Sequence, residues 1–273
     1  MYDENYTRYQ LVKSQSGKVV FNWLFLPGGP GVDSSCFLDL IKGTNVPGNF
    51  WLVDLIFNGS NEPYEFISNN IYEGWGDFLL SAISKFENPI LVGHSFGGFF
   101  PLFFPQLEKL LKGLVILNSV PTLNSDLFSK CAREHNLPSL ADATALLINN
   151  PTFDALKALY LLEASYFFAP QNRAKGIEQI VEKLDFCIPT EHWWYTEGAK
   201  IYSEIKWVPE KIPTLIVGGS DDLITPLGVF EQDLRFIRDN ITMVNIPNAG
   251  HFPWVEKPDL INETLTSFVN RLY

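Results

Sequence analysis

The sequence predicts an α/β fold built on a mostly parallel, doubly wound sheet, with a block of helices inserted into it. Over the first 120 residues, short β-type apolar runs alternate with helix-like patterns, which is typical of parallel strands joined by helices. Between about residues 121 and 207 the helical patterns take over, and two further β-type runs follow. The predicted organisation is a sheet-bearing core of residues 1–120 and 208–273 with a helical insertion, or cap, of residues 121–207.

The individual elements are predicted from the spacing of the apolar residues. Buried strands are expected at residues 21–26, 50–53, 90–92, 114–117, 211–219 and 241–246. Helix-like spacing marks residues 74–86 and 260–272 in the core, and residues 156–168 and 176–186 in the insertion. Pro101 and Pro105 follow a predicted strand-to-helix turn, so we expect that helix to kink or to end early.

Composition and charge restrict the classes of partner. Of the 273 residues, 46% are hydrophobic and 14% are aromatic, which is enough for a large core and an apolar pocket. A net charge of −11 without any cluster of Lys and Arg argues against nucleic-acid binding. Because the chain has no long uninterrupted apolar run, we expect no membrane span.

The cysteines and the first residues favour a reducing compartment. Cys36, Cys131 and Cys187 are odd in number and widely spaced, which fits neither a disulfide framework nor a zinc site. The acidic start of the chain lacks the pattern of a signal peptide. We expect a cytoplasmic protein, a monomer or homodimer, that acts on a small-molecule substrate without a metal or an organic cofactor.

Residues 93–97 read G-H-S-F-G, a G-x-S-x-G pentad between a predicted strand and an apolar helix-like run. This arrangement is typical of a nucleophile elbow, in which a serine occupies a sharp turn from strand to helix. The two flanking glycines let the strand and the helix approach closely around the strained serine. The Ser95 hydroxyl is then expected to project above the sheet, near backbone N–H groups at the start of the helix.

Two further polar loops follow predicted strands, namely S-D-D-L-I-T-P at residues 220–226 and N-A-G-H-F-P at residues 248–253. Because open α/β sheets bind ligands at the carboxyl ends of their strands, we expect both loops to lie near Ser95. An aspartate and then His251 follow the serine along the chain. A serine hydroxyl needs a base to take its proton, and a carboxylate keeps that histidine in the correct tautomer.

Together these segments resemble the α/β-hydrolase superfamily, in its branch of capped serine hydrolases that includes esterases and prolyl iminopeptidases. The resemblance covers the chain from about residue 21 to its end. Besides the elbow, residues 27–31 resemble the H-G-G-P-G oxyanion loop, residues 54–60 the D-L-P-G-N-G-x-S loop, and residues 219–226 the G-x-x-D-x-x-x-P segment. The resemblance implies an α/β-hydrolase fold with the helical cap inserted after the sixth strand.

The resemblance also implies roles for individual residues. Asp222, and not its neighbour Asp221, matches the acid position and completes a catalytic triad with Ser95 and His251. The oxyanion is expected to accept hydrogen bonds from the backbone N–H of Phe96 and, by analogy, from that of Gly29.

The glycine loop departs from the family pattern at one position. Pro27 stands where the family has a histidine that supports the loop, so we expect altered loop packing and no loss of chemistry.

The aromatic neighbours of the triad are candidates for substrate binding. Phe96 and Phe252 each follow a triad residue, and Trp194 lies in the insertion, where a cap would roof the pocket. His94 is expected to be structural, with its side chain directed away from the serine hydroxyl.

Three functions remain open at this point. The first is cleavage of a small or medium carboxylic ester through an acyl-enzyme. The second is an aminopeptidase similar to prolyl iminopeptidases, with Glu163, Glu191 and Glu197 available to bind an ammonium group, or a C–C bond hydrolase on the same scaffold. The third, of another class, is a ligand-binding protein that keeps the fold but turns over little.

Overall fold

The structure is a computed structural model that describes residues 1–62, 71–123 and 125–273, without side chains at residues 125–128. The described residues form one sheet in the order β1-β3-β2-β4-β5-β6-β7. All neighbouring strands pair in parallel except β1, which is antiparallel to β3. The strands are β1 Arg8–Gln15, β2 Asn22–Leu26, β3 Gly48–Asp54, β4 Pro89–His94, β5 Gly113–Leu117, β6 Thr214–Gly219 and β7 Ile241–Ile246.

Helices join the strands and cover both faces of the sheet. In the first half of the core these are α1 Leu38–Gly43, α2 Trp75–Ser84, α3 Phe96–Phe99 and α4 Leu107–Leu110. Between β5 and β6 lie α5 Ser125–Glu134, α6 Ala141–Asn149, α7 Phe153–Phe167, α8 Arg173–Gly176, α9 Ile188–Trp193 and α10 Ala199–Ile201, with π-helical turns at Ile177–Val181 and Trp194–Gly198. The chain ends with α11 Gly228–Glu231, α12 Pro253–Glu256 and α13 Pro258–Asn270. We call the helices between β5 and β6 the inserted helices.

Alternate residues of the central strands point to opposite faces of the sheet, and each face carries its own core. Along β2, Trp23 and Phe25 pack into one core, and Leu24 packs into the other. Helix α13 and much of the inserted segment cover the first core, whereas α2 covers the second. The predicted doubly wound, mostly parallel α/β sheet is therefore confirmed.

The six predicted strands are present with small shifts of their ends, and β1 is an addition. Its sequence, R-Y-Q-L-V-K-S-Q, is mostly polar, and only one of its eight residues is buried, because β1 lies at the edge of the sheet. An edge strand pairs on one side only and needs little apolar content, so β1 carries no apolar signal. A register shift between Leu11 and Lys13 interrupts the alternation further.

Two expectations about the insertion need correction. The inserted helices follow the fifth of the seven described strands and not the sixth, because a single antiparallel strand precedes β2. The helix expected over residues 176–186 stops at Val181, where a π-helical turn ends and backbone bonds from Lys183 and Leu184 to Ile180 close a turn. Among the described residues, no helix combines the length and hydropathy needed to cross a bilayer.

The carboxyl edge of the sheet collects the predicted functional loops. Ser95 follows β4, Asp222 follows β6 and His251 follows β7. As predicted, the helix after the serine is short, since α3 ends at Phe99 and continues as a 3₁₀ turn through Pro101.

Candidate active site

Ser95 occupies a strained turn between β4 and α3. Its backbone lies at φ 51° and ψ −118°, in a region that residues with a side chain rarely adopt. The flanking glycines make the turn feasible, because a Cβ at Gly93 would overlap the carbonyl oxygen of Gly97, and one at Gly97 would overlap the carbonyl oxygens of Leu26 and Pro27. The local geometry is that of the expected nucleophile elbow.

Asp222 is buried and fully bonded behind the cavity. Its Oδ1 accepts hydrogen bonds from the backbone N–H groups of Ile224, at 2.9 Å, and Thr225, at 3.0 Å. Its Oδ2 accepts three more, from Asn118 Nδ2 at 2.8 Å, Thr225 Oγ1 at 2.7 Å and His251 Nδ1 at 3.0 Å. The carboxylate therefore fixes the orientation of the imidazole.

The charge of Asp222 is stabilised by the same contacts. Burial alone would raise the pKa of this carboxyl, but the attraction of His251 and the hydrogen bonds from His251, Asn118 and Thr225 hold the pKa well below its usual range. Asp222 is thus an anion at neutral pH. Because His251 Nδ1 donates to it, Nε2 is the ring nitrogen left to accept a proton.

The His251 ring lies among other aromatic rings. Phe167 stacks on it at 5.3 Å between centroids with an interplanar angle of 17°, and His94 lies 4.6 Å away. His94 Nε2 is 2.9 Å from the carbonyl oxygen of His251, so this nitrogen carries the proton and donates it. Burial and the nearby His251 hold the pKa of His94 well below its ordinary value. His94 therefore supports the His251 backbone as a neutral donor.

Ser95 Oγ forms no hydrogen bond with the imidazole or with any other described residue. Ser95 and His251 nevertheless line the same cavity. Catalytic hydrogen bonds are commonly loose in the absence of substrate and shorten when it binds.

The glycine loop after β2 presents backbone donors to the same cavity. Gly28, Gly29 and Phe96 all line it, and a Cβ at Gly28 would lie 3.0 Å from the Cβ of Ser95. Neither the N–H of Gly29 nor that of Phe96 donates to a described residue, so both are available to an oxyanion.

The loop is held in place through the carbonyl oxygen of Gly31, which accepts from the N–H groups of Gly59 and Cys187, each at 2.8 Å. Asn58 Nδ2 adds a bond of 2.9 Å to the carbonyl oxygen of Val32. The D-L-P-G-N-G-like loop and the inserted segment thus hold the glycine loop.

The cavity has a volume of about 1230 Å³. All three predicted substrate-binding residues, Phe96, Trp194 and Phe252, line it. Phe96 and Trp194 meet edge to face at 5.1 Å. The space is large enough for a drug-sized ligand, and most of its polar groups lie around the serine or on the inserted helices.

Of the three glutamates considered as ammonium ligands, Glu163 lines the cavity and Glu191 lies against the glycine loop. Glu163 of α7 forms part of its wall, and burial raises the pKa of this carboxyl to about 8. Glu191 of α9 is 1% exposed, accepts a bond of 2.8 Å from Tyr160 Oη, and also has its pKa raised to about 8 by burial. A Cβ at Gly29 would lie 3.3 Å from Glu191 Oε1, which places this carboxyl against the glycine loop. Glu197 is exposed and is absent from the cavity wall.

Several residues of the site escaped sequence reasoning. Asn118 follows β5, and its side chain joins Asp222 to the carbonyl oxygen of Gly250. The position of Asn118 after a strand, at the carboxyl edge of the sheet, could have marked it as a site residue. Nothing in the sequence around Phe167 indicates its contact with His251. Among the described residues, no group of three or more His, Cys, Asp or Glu side chains is arranged to hold a metal ion.

Comparison with known proteins agrees with this architecture. The sequence profile of the alpha/beta hydrolase family matches residues 23–264. A 2-hydroxy-6-oxo-6-(2'-aminophenyl)hexa-2,4-dienoic acid hydrolase of Metapseudomonas resinovorans is 36% identical over 87 residues, which is 31% of this chain and 29% of that protein. The alignment thus spans less than a third of that relative.

Solved structures resemble the chain over nearly its whole length. An esterase of Thermogutta terrifontis has a TM-score of 0.66 at 16% identity, covering 97% of this chain and 93% of the other. A proline iminopeptidase of Mycobacterium smegmatis gives 0.61 at 18% identity, covering 97% and 95%. A meta-cleavage product hydrolase of Pseudomonas fluorescens gives 0.67 at 15% identity, covering 98% and 95%. At these identities the structures show the fold, and the family profile shows that the chain belongs to the alpha/beta hydrolase family.

Proposed function

We propose that the protein is a serine hydrolase that cleaves a small or medium carboxylic ester through an acyl-enzyme. The observation that carries the proposal is the buried Asp222–His251 pair, joined at 3.0 Å, at the cavity that also holds Ser95. The strained serine turn and the two unpaired backbone N–H groups beside it supply the other parts that acyl transfer requires.

In the proposed reaction, Ser95 Oγ attacks the ester carbonyl carbon while His251 Nε2 takes the hydroxyl proton. The carbonyl oxygen becomes an oxyanion that accepts hydrogen bonds from the N–H groups of Phe96 and Gly29. When the carbon–oxygen bond to the leaving group breaks, the imidazolium protonates the departing alcohol. Water then attacks the acyl-enzyme with His251 as the base, which releases the carboxylic acid and restores Ser95.

The walls of the cavity favour an apolar acyl group. Phe96, Trp194 and Phe252 offer aromatic surface beside the serine, and burial of apolar groups against it stabilises the complex by about 25 cal/mol per Å². We assign these three residues to substrate binding.

The test is turnover of p-nitrophenyl acetate and butyrate by the wild type and by Ser95→Ala, with Ser84→Ala as the matched control. Ser84 is at the end of α2, outside the cavity wall. We expect Ser95→Ala to lose turnover and fluorophosphonate labelling, and Ser84→Ala to keep both. A wild type that shows neither ester turnover nor fluorophosphonate labelling contradicts the proposal. Thermal stabilisation by a ligand without formation of product would favour a binding protein.

A second candidate is hydrolysis of amides or esters whose acyl group carries an ammonium, as in an aminopeptidase. The observation that favours it is the pair Glu163 and Glu191, because no salt bridge joins either carboxyl to a cation within the described residues. A substrate ammonium would favour ionisation of a carboxyl whose pKa is raised to about 8.

Proline-naphthylamide turnover tests this candidate. Glu163→Gln should lower kcat/KM for this substrate by about 10-fold or more, the loss expected for a hydrogen bond to a charged group. The matched control is Glu197→Gln, since Glu197 is exposed on the same inserted segment. Equal effects of the two substitutions, or no turnover of the amide, would exclude ammonium recognition by Glu163.

A further inference from the structure

The carboxyl end of α7 reaches both loops that carry the acid and the base. The carbonyl oxygen of Tyr166 accepts a bond of 3.2 Å from the N–H of Leu223, next to Asp222. The carbonyl oxygen of Phe167 accepts a bond of 2.5 Å from the N–H of His251. These two backbone contacts tie an inserted helix to the loops after β6 and β7.

The fit between α7 and the histidine loop is close. A Cβ at Gly250 would overlap the carbonyl oxygen of Phe167, so the loop can approach the helix only because residue 250 is a glycine. Glu256 strengthens the connection, since its carboxylate accepts from the N–H of Gly250 at 2.5 Å and from Asn172 Nδ2 at 2.9 Å. The end of α7 is therefore part of the support of His251.

The Phe167 side chain makes a second, separate contact with the imidazole. Its ring lies nearly parallel to the His251 ring, at 17° and 5.3 Å, while His94 approaches the imidazole at 4.6 Å and 55°. Phe252 meets the imidazole edge-on at 86°. Of these neighbours, Phe167 presents the most nearly parallel ring, so it restricts rotation of the imidazole about its hydrogen bond to Asp222.

We infer that Phe167 is a positioning residue for His251, which holds the imidazole in the plane that keeps Nδ1 on Asp222 and Nε2 free for the proton of Ser95. This role rests on the proposed function, because it assumes that His251 is the base. It also means that the inserted helix α7 belongs to the catalytic support of the enzyme.

The test compares Phe167→Leu with Phe168→Leu, a matched pair at adjacent buried positions. Phe168 is 1% exposed and stacks on Phe252 at 5.5 Å, and among the described residues its ring is not paired with the His251 ring. Both substitutions keep the backbone bond from His251 to residue 167 and remove one buried aromatic ring. Because Phe167 also lines the cavity and Phe168 does not, a change in KM reports a lost substrate contact, and a fall in kcat at unchanged KM reports the stacking on the imidazole.

With p-nitrophenyl butyrate we expect Phe167→Leu to lower kcat by about 10-fold with KM unchanged within about twofold, the size of one aromatic contact. Phe167→Tyr, which restores the ring face, should recover most of kcat. Phe168→Leu should lower the melting temperature by a similar amount to Phe167→Leu while keeping kcat within about twofold of the wild type.

A spectroscopic readout separates this inference from the proposed function. The proton between His251 Nδ1 and Asp222 gives a downfield NMR signal that needs no turnover. It should broaden or vanish in Phe167→Leu and persist in Phe168→Leu. Equal kcat losses in the two leucine variants, or an unchanged signal and kcat in Phe167→Leu, would overturn the inference. If the wild type turns over no ester but the two leucine variants still differ in this NMR signal as expected, only the proposed ester hydrolysis is overturned.

Discussion

Replacement of Asp222 by asparagine should abolish most of the activity by forcing the wrong tautomer on His251. The carboxylate receives five hydrogen bonds, two on Oδ1 from the backbone of Ile224 and Thr225 and three on Oδ2 from Asn118, Thr225 and His251. An amide has one oxygen and one NH₂ group. On the side of the NH₂ group, the new side chain therefore directs hydrogen-bond donors at groups that were donors to the carboxylate.

The hydrogen-bond partners of Asp222 determine whether the NH₂ group takes the Oδ1 or the Oδ2 position. The two backbone N–H groups that face Oδ1 cannot become acceptors. On the Oδ2 side, the Thr225 hydroxyl can rotate, and the Asn118 amide can flip, since its own Oδ1 is buried without a partner. His251 can move its proton from Nδ1 to Nε2. The NH₂ group will therefore take the Oδ2 position and leave Nε2 protonated, so the imidazole cannot accept the serine proton.

The size of the expected fall in kcat follows from the hydrogen-bonding groups that the substitution leaves unpaired. Restoring the Nδ1–H tautomer in the variant would direct two buried donors, the imidazole N–H and the new NH₂ group, at each other. Each unpaired donor costs about 1–3 kcal/mol of free energy, and loss of the hydrogen bond to the charged carboxylate adds about 1.5–3 kcal/mol. The middle of the summed ranges, about 6 kcal/mol, corresponds to a fall in kcat of roughly 10⁴- to 10⁵-fold.

The assay is kcat for p-nitrophenyl butyrate, with the melting temperature by circular dichroism to show that the fold persists. Asp221→Asn is the matched control, because Asp221 is adjacent, has no bond to His251 and should keep kcat within about twofold. An Asp222→Asn enzyme with kcat within about tenfold of the wild type would refute the reasoning.

Two further predictions concern stability. Gly93→Ala should lower the free energy of unfolding in urea by about 3 kcal/mol or more, because the new Cβ overlaps the carbonyl oxygen of Gly97. Gly43→Ala is the control, since the space around its Cβ is open and no such loss is expected. Equal effects of the two substitutions would contradict the packing argument. Burial raises the pKa of Glu191 from 4.5 to about 8, so the folded state binds this proton more tightly than the unfolded chain, and the stabilisation is complete below about pH 4.5 and lost as the pH rises to about 8. Glu191→Gln, which still accepts from Tyr160, should flatten the fall in melting temperature over that range, and an unchanged pH profile would contradict the assignment.

The sheet and the elbow could be predicted from sequence because their signals are local. A run such as residues 114–117 is apolar on both faces of a buried strand, and the glycines at 93 and 97 mark a close approach within five residues. Strand β1 gave no such signal, since its sequence is mostly polar and only one of its eight residues is buried.

The supports of the site could not be predicted, because each depends on contacts between distant parts of the chain. Asn118 has a suggestive position after a strand, but its role depends on Asp222 and Gly250, which lie 104 and 132 residues away. The same holds for Phe167, which stacks on His251, and for Trp194, which begins a π-helical turn and lines the cavity. No periodicity in the insertion distinguishes Glu163, which lines the cavity, from Glu197, which is exposed.

The central claim is that Ser95 forms the covalent intermediate, and mapping of the adduct tests it most directly. Trypsin releases residues 86–109 as one peptide, in which Ser95 is the only hydroxyl-bearing side chain. After reaction with a fluorophosphonate, mass spectrometry should find the added group on this peptide in the wild type and in Asp221→Asn, and on no peptide in Ser95→Ala. An adduct on another peptide, or an unmodified 86–109 peptide in an enzyme that turns over esters, would contradict the account.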